Sequence, residues 1–298
     1  MQTLTETERQ QWQVDGYLHL RGVLSPEQVE LYSKEIDRIR PLPGFEPSDL
    51  PRGHYGWLTH SADTATEGFM DRRELLKYGQ SFVDLIDFQP VFERVLDIMG
   101  PYLALSMTQA IVRPSTSNFP GYTHTDGGEA LRYIRVTESS RPIALKAMYL
   151  LSDVSGTDNG NLTVFPGSHM RPFPDDEARW PHPHAPGAAQ LEGKAGDCYV
   201  FSHALWHGPA PNGSGVPRKT ILYNYCQMFS RCYDYPVPPE LDSQLSARQR
   251  RLLGDLGYDF RPGSYFYAPR DQVSVMTGDP QAGASVLADT RPDDLVRS

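Results

Sequence analysis

From residue 102 onward the chain is a succession of short apolar or alternating runs: "YLALSMTQAIVR", "PIALKAMYLLS", "NLTVFPGS", "DCYVFSHALW" and "RKTILYNYCQMF". Each is bounded by Gly, Pro, Asn or Ser, as strands are. A parallel sheet needs a long crossover, usually a helix, between consecutive strands, and no helical pattern separates these runs. The series therefore argues for a double-sheet jelly roll over a doubly wound parallel sheet.

The first hundred residues read differently. A helix is expected at about residues 5–14, followed by a short strand in "DGYLHLRGV", where Tyr17, His19 and Arg21 alternate with Leu18 and Leu20. In "LSPEQVELYSKEIDRIR" Ser25 is a natural N-cap and Pro26 fits the first helical position, while Val29, Leu31, Tyr32 and Ile36 form an apolar face. A further helical stretch, "LLKYGQSFVDLIDFQPVFERVLDIMG", runs to Gly100, with Pro90 opening its last piece. "PPELDSQLSARQRRLLGDLG" predicts a helix near the C-terminus, and the polar tail from Gly278 reads as loose. With no internal repeat or low-complexity linker, 1–298 is expected to be a single domain: a helix-rich N-terminal region (residues 1–100) packing on the sheet, a jelly-roll core (101–232), and a C-terminal helix and tail (233–298).

Composition narrows the function. A net charge of −9 removes the electrostatic term on which nucleic-acid binders rely. The three cysteines, Cys198, Cys226 and Cys232, are odd in number and form no CxxC pair, against a disulfide framework or a zinc knot. No apolar run approaches a membrane span, and "MQTLTETERQQW" has no secretory h-region. The expectation is a cytoplasmic protein without nucleic-acid or membrane partners; its oligomeric state stays open.

Candidate chemistry starts at "FPGYTHTDGGEALR". On an extended segment positions 124 and 126 point the same way, so His124 and Asp126 can converge on one metal ion. Alone, the pair is equally a solvent-facing strand pair or a turn. It acquires meaning with "FSHALWHGPAPNGSGVPRKTIL", where His207 ends a strand, a Pro/Gly/Asn/Ser turn follows, and Arg218 opens the next. Two histidines and one carboxylate can bind one face of a ferrous ion and leave adjacent positions open, as non-haem iron oxygenases require. The planar fork of arginine matches a carboxylate, so Arg218 could hold the far end of a dicarboxylic co-substrate.

Taken together these segments resemble the phytanoyl-CoA dioxygenase family of iron(II)/2-oxoglutarate-dependent oxygenases. The resemblance spans "DGYLHLRGVLSPEQV", "HTD", "LLSDVSGTDNGNLTVFPGSH", "HGPAPNGSGVPRKTI" and "LSARQRRLLG". It implies a mainly β fold with flanking helices around a double-stranded β-helix (jelly-roll, cupin-like) core. It also implies iron(II) held by His124, Asp126 and His207, with 2-oxoglutarate and dioxygen as co-substrates and Arg218 pairing with the distal carboxylate. Gln109 and Thr163 fall where such enzymes often place polar contacts to 2-oxoglutarate, and Tyr122 stands where several relatives carry glutamine. The expected outcome is oxidation, usually hydroxylation, of an unactivated C–H bond, releasing succinate and carbon dioxide. Desaturation, cyclisation and epimerisation share its first step, whereas the carboxylate of Asp126 disfavours halogenation.

Other histidines invite blander explanations. His169 suits a loop tie after a Pro-Gly turn, His203 lacks the following turn and arginine, and His182 and His184 lie in a proline-rich loop. Cys198 and Cys226 look like buried fillers. The loops at about 41–68 and 127–141 are long enough to be lids, and Tyr55, Trp57, Tyr122, Arg132, Tyr133 and Arg135 are the candidates for substrate contact. No basic cluster marks a CoA pocket, so a free metabolite or natural-product intermediate is expected. Two alternatives remain: a non-redox, isomerase-like metal enzyme, and a catalytically silent small-molecule-binding module.

Overall fold

A computed structural model describes residues 4–42, 69–116, 121–127, 131–134, 137, 139–230, 243–255 and 270–279. Helix α1 (Glu6–Asp15) opens with a capping box between Thr5 and Glu8 and closes on Gly16 in the left-handed region. Strand β1 (Tyr17–Leu20) follows, its Leu18 and Leu20 buried. Helix α2 (Pro26–Ile39) starts at the predicted cap, Ser25, with Pro26 in its first turn. Its side chains Tyr32, Ile36 and Ile39 are buried.

The helical stretch is three pieces: a 3-10 turn at Leu75–Tyr78, the short α3 (Gln80–Val83), and α4 (Gln89–Met99), the last piece with Pro90 in its opening turn as expected and the break at Gly79 not foreseen. Gly79 separates the first two with φ 141, a backbone that side-chain-bearing residues rarely adopt. Before them lies an unexpected strand, β2 (Met70–Arg73). Its sequence, "MDRR", is charged, and it forms a sheet edge, where only one side is paired.

The strand series is present as β3 (Leu103–Arg113), β4 (Ala144–Leu150), β5 (Leu162–Val164), β7 (Cys198–Ser202) and β9 (Arg218–Gln227), joined by two short strands, β6 (Ala189–Leu191) and β8 (His207–Pro209). His207 therefore begins a strand and does not end one. The run "DCYVFSHALW" leaves its strand at Ser202, and a turn separates the two. Short helices α5 (Ala247–Leu252) and α6 (Arg270–Thr277) follow, α6 unforeseen. Cys232 and the tail beyond residue 279 lie outside the described residues.

Among the described residues every strand pairing is antiparallel. The larger sheet has the order β1-β7-β4-β9-β3-β2 and the smaller one the order β6-β5-β8. Alternation gives each face of the larger sheet its own partners. Its outer face presents Leu145, Ala147, Tyr149, Ile221, Tyr223 and Tyr225 to the helical core of α2, α3 and α4. There the Tyr225 hydroxyl donates to the carbonyl of Ile86 at 2.9 Å, and that of Tyr223 to the carbonyl of Phe82. The inner face carries Met148, Leu150, Tyr199, Phe201 and Leu222 against Leu162 and Val164 of the smaller sheet. This is the jelly-roll architecture the strand series implied. Cys198 and Cys226 are buried, as expected of fillers. Among the described residues no helix is long and apolar enough to cross a membrane.

Candidate metal centre

The segment 121–127 runs antiparallel to β8 and extends the smaller sheet. The His124 amide donates to the His207 carbonyl at 2.8 Å and the His207 amide to the His124 carbonyl at 2.9 Å. Directly opposed residues project from one face, so the two imidazoles stand side by side, ring centroids 4.4 Å apart. The Asp126 amide donates to the His203 carbonyl at 3.0 Å, which anchors the far end of the segment before it turns at Gly127, φ 78. Oδ1 of Asp126 then lies 3.7 Å from Nε2 of His124 and 3.6 Å from Nε2 of His207. One donor atom from each of the three side chains lies within 4.8 Å of the others.

His207 is buried, and its ring approaches Phe201 at 4.7 Å between centroids. Its Nδ1 lies 2.8 Å from the Leu205 carbonyl, an acceptor, so Nδ1 carries the proton and Nε2 a lone pair. That Nε2 is buried without a hydrogen-bond partner. Burial pushes the imidazole down to about 3, leaving it neutral at ordinary pH. For Asp126, burial works against ionisation, but Lys146, His207 and His124 together outweigh it and hold the carboxyl well below the usual range. A neutral, unpartnered imidazole nitrogen facing an ionised carboxylate suits a cation that accepts nitrogen and oxygen donors, and so fits ferrous iron.

Behind this centre the inner face of the larger sheet is polar. Arg218 opposes Arg113, and Gln109 opposes Leu222, so all share the face that looks toward the smaller sheet. Arg218 is buried and its Nη1 donates to the Gly160 carbonyl at 2.6 Å, while its Nε has no partner. Burial, then the neighbouring Arg113, push its guanidinium down to about 9, which is still cationic at neutral pH. Gln109 donates through Nε2 to Asp71 Oδ2 at 2.7 Å.

Thr163 is not brought to this face. Val164 opposes His207 in the ladder, so Thr163, one residue earlier, points the other way. Tyr122, two residues before His124, shares the face of the His124 and Asp126 side chains, with its ring half exposed and 5.4 Å from the His124 ring. It lies within electrostatic reach of Arg113, Asp71, Arg218 and Asp126. Arg132 stacks over Phe173 and Trp180, 5.9 and 5.7 Å from their centroids, and the Tyr133 hydroxyl donates to Asp175 at 2.7 Å. Tyr55, Trp57 and Arg135 lie outside the described residues.

His203, His169, His184 and His182 stand apart from the centre. Nδ1 of His203 is 3.0 Å from the Ala144 carbonyl, and the buried His169 packs against Gly16. His184 pairs with Asp158 at 2.7 Å on the surface, with His182 beside it. What sequence reasoning missed is Lys146, whose Nζ is 2.7 Å from Asp126 Oδ1. The signal was present, a lysine inside the apolar run "ALKAMYLL".

A jelly roll with two imidazoles and one carboxylate converging at the edge of its smaller sheet has the architecture and donor set of non-haem iron oxygenases. The chain belongs to the phytanoyl-CoA dioxygenase (PhyH) family, whose model matches residues 12–220. The members of that family are iron(II)- and 2-oxoglutarate-dependent dioxygenases, and so the protein is an enzyme of that type. It is 23% identical over 269 residues to the dioxygenase ALT11 of Alternaria alternata, covering 82% of this chain and 80% of that one. Its fold is similar to that of HygX from Streptomyces hygroscopicus with nickel, 2-oxoglutarate and hygromycin B bound (TM-score 0.61, 20% identity, 77% of this chain and 90% of that chain). It is also similar to that of the α-ketoglutarate-dependent epimerase SnoN from nogalamycin biosynthesis (TM-score 0.52, 22% identity, 74% of this chain and 82% of that chain).

Proposed function

We propose that this enzyme hydroxylates an unactivated C–H bond of a small metabolite or natural-product intermediate, converting 2-oxoglutarate and dioxygen to succinate and carbon dioxide. The observation that carries the reading is the convergence of His124, Asp126 and His207 on one point beside a polar inner face bearing Arg218. The three side chains would hold iron(II) through Nε2, Oδ1 and Nε2. When bound, the metal supplies the activation of dioxygen and the oxidising power. The chain's own residues do the rest. His207 is kept in one tautomer by the Leu205 carbonyl, Arg218 offers its unpartnered edge to the distal carboxylate of 2-oxoglutarate, and the apolar wall of Met148, Phe201 and Leu222 excludes water. HygX and SnoN were solved with hygromycin B and nogalamycin RO, which supports a substrate of natural-product type.

The test is co-substrate turnover with Fe(II), 2-oxoglutarate and dioxygen against a panel of metabolites. Succinate formation stimulated by one class of compound is the expected result. No succinate and no oxygen uptake with any of them would overturn the reading, since an isomerase or a binding module consumes neither.

Segment 131–134 comes shortly after segment 121–127 in the chain and is clamped to the 173–180 loop through Arg132 and Tyr133. On this reading it belongs to the substrate lid. Replacing residues 129–136 by a Gly/Ser linker is expected to abolish substrate oxidation while iron and 2-oxoglutarate binding persist, with slow uncoupled decarboxylation. Product formation at the parental rate would place substrate recognition elsewhere.

A further inference from the structure

Lys146 sits in the middle of β4, where a charged side chain is unexpected. Its strand neighbours on either side are Phe201 and Asn224, and its side chain is only 8% exposed. The stem cannot carry the ammonium out to water, so the charge must be satisfied inside. Its Nζ lies 2.7 Å from Asp126 Oδ1 and 5.6 Å from the Phe201 ring centroid. Asp126 is its sole ion-pair partner among the described residues. The oxygen it holds is also the one that faces both imidazole Nε2 atoms. One carboxylate oxygen is therefore claimed from two sides, by the ammonium and by whatever the imidazoles bind.

We propose that Lys146 is a positioning residue that sets the charge of the metal centre: its ammonium, paired with Asp126, offsets the one carboxylate that stands beside the two imidazoles. The inference rests on the metal-centre reading above. Two consequences follow, and they have opposite signs. A divalent cation is held less tightly than it would be by an unopposed carboxylate, because the ammonium repels it at short range. The positive charge of the bound cation is correspondingly less quenched, so the centre attracts a dianionic ligand such as 2-oxoglutarate more strongly. Lys146 thus trades metal affinity for co-substrate affinity. The Phe201 ring, 5.6 Å away, flanks the ammonium on one side.

Lys146→Gln tests this, because glutamine can still donate a hydrogen bond to Asp126 but carries no charge; Lys146→Met, which can do neither, is the second variant. The full-length proteins are titrated first with Ni(II) alone and then, loaded with Ni(II), with 2-oxoglutarate, both by calorimetry without turnover. Lys146→Gln is expected to bind Ni(II) at least about tenfold more tightly than the parent and 2-oxoglutarate about tenfold more weakly. A merely structural role would weaken both. Unchanged or weaker Ni(II) binding by either soluble variant overturns the inference, and so does failure of both variants to fold, which would make the lysine structural. Failure of the underlying reading looks different: the parent itself would bind no Ni(II), or His124→Ala would bind it as well as the parent.

Discussion

Chains carrying His124→Ala or Asp126→Ala are expected to lose divalent-metal binding and all succinate formation. Two structural constraints place the three donors. His124 and His207 face each other across a two-bond backbone ladder, and Asp126 is fixed by its amide bond to the His203 carbonyl. Removing one side chain leaves two donors, too few to hold a labile ferrous ion against water. The loss should exceed the roughly 10–100-fold that even the outer hydrogen-bond partners of metal ligands are worth. Calorimetric titration with Ni(II) and a succinate assay check it. Parental turnover in either variant would sink the ligand assignment. His203→Ala is the control: its ring is tied to the Ala144 carbonyl, so metal affinity should stay near the parental value. Loss of metal there would mean the wrong histidine had been assigned.

Much of this centre is legible in the sequence because its components are local. "HTD" places two side chains on one face of an extended segment whatever the fold, and the glycine- and proline-rich turn between His207 and Arg218 marks where the chain passes from β8 in the smaller sheet to β9 in the larger. The strand series is legible for the same reason: burial on one or both faces leaves a periodic trace. What escapes is set by register and by tertiary pairing. Thr163 falls on the other face because nothing in the sequence aligns β5 with β8, and one residue of slip exchanges the faces. Strand β2 escapes because its charged residues are those of a sheet edge, where Arg73 and Gln109 are partners and Asp71 accepts from Gln109. The broken helix around Gly79 carries an apolar periodicity that hides the break, and only the φ of the glycine reveals it. The Lys146–Asp126 pair spans 20 positions, and sequence spacing alone does not say that β4 passes beneath the HTD segment.

Arg218→Leu is expected to weaken 2-oxoglutarate binding by a hundredfold or more while leaving the metal site filled. Arg218 opens β9 on the inner face, and its backbone neighbour across the sheet is Arg113. Two buried guanidiniums on directly opposed residues repel each other, and an anion between them relieves that repulsion. Arg218 spends Nη1 on the Gly160 carbonyl, which fixes the plane of the fork, and keeps its Nε unpartnered. A carboxylate placed there gains a charge-assisted hydrogen bond in a site shielded from water. Leucine keeps much of the volume but leaves the distal carboxylate buried without its cation, a loss of about 3–5 kcal/mol. Affinity for 2-oxobutanoate, which lacks the distal carboxylate, should be far less affected, and this contrast separates lost ion pairing from general damage to the pocket. Lys219 cannot substitute: it belongs to the opposite face of β9, where its ammonium is 2.7 Å from Asp37. If Arg218→Leu retained parental affinity for 2-oxoglutarate, the distal carboxylate would have to be held by another inner-face cation, Arg113 or Lys146. The co-substrate would then lie in the pocket in a different direction from the one proposed.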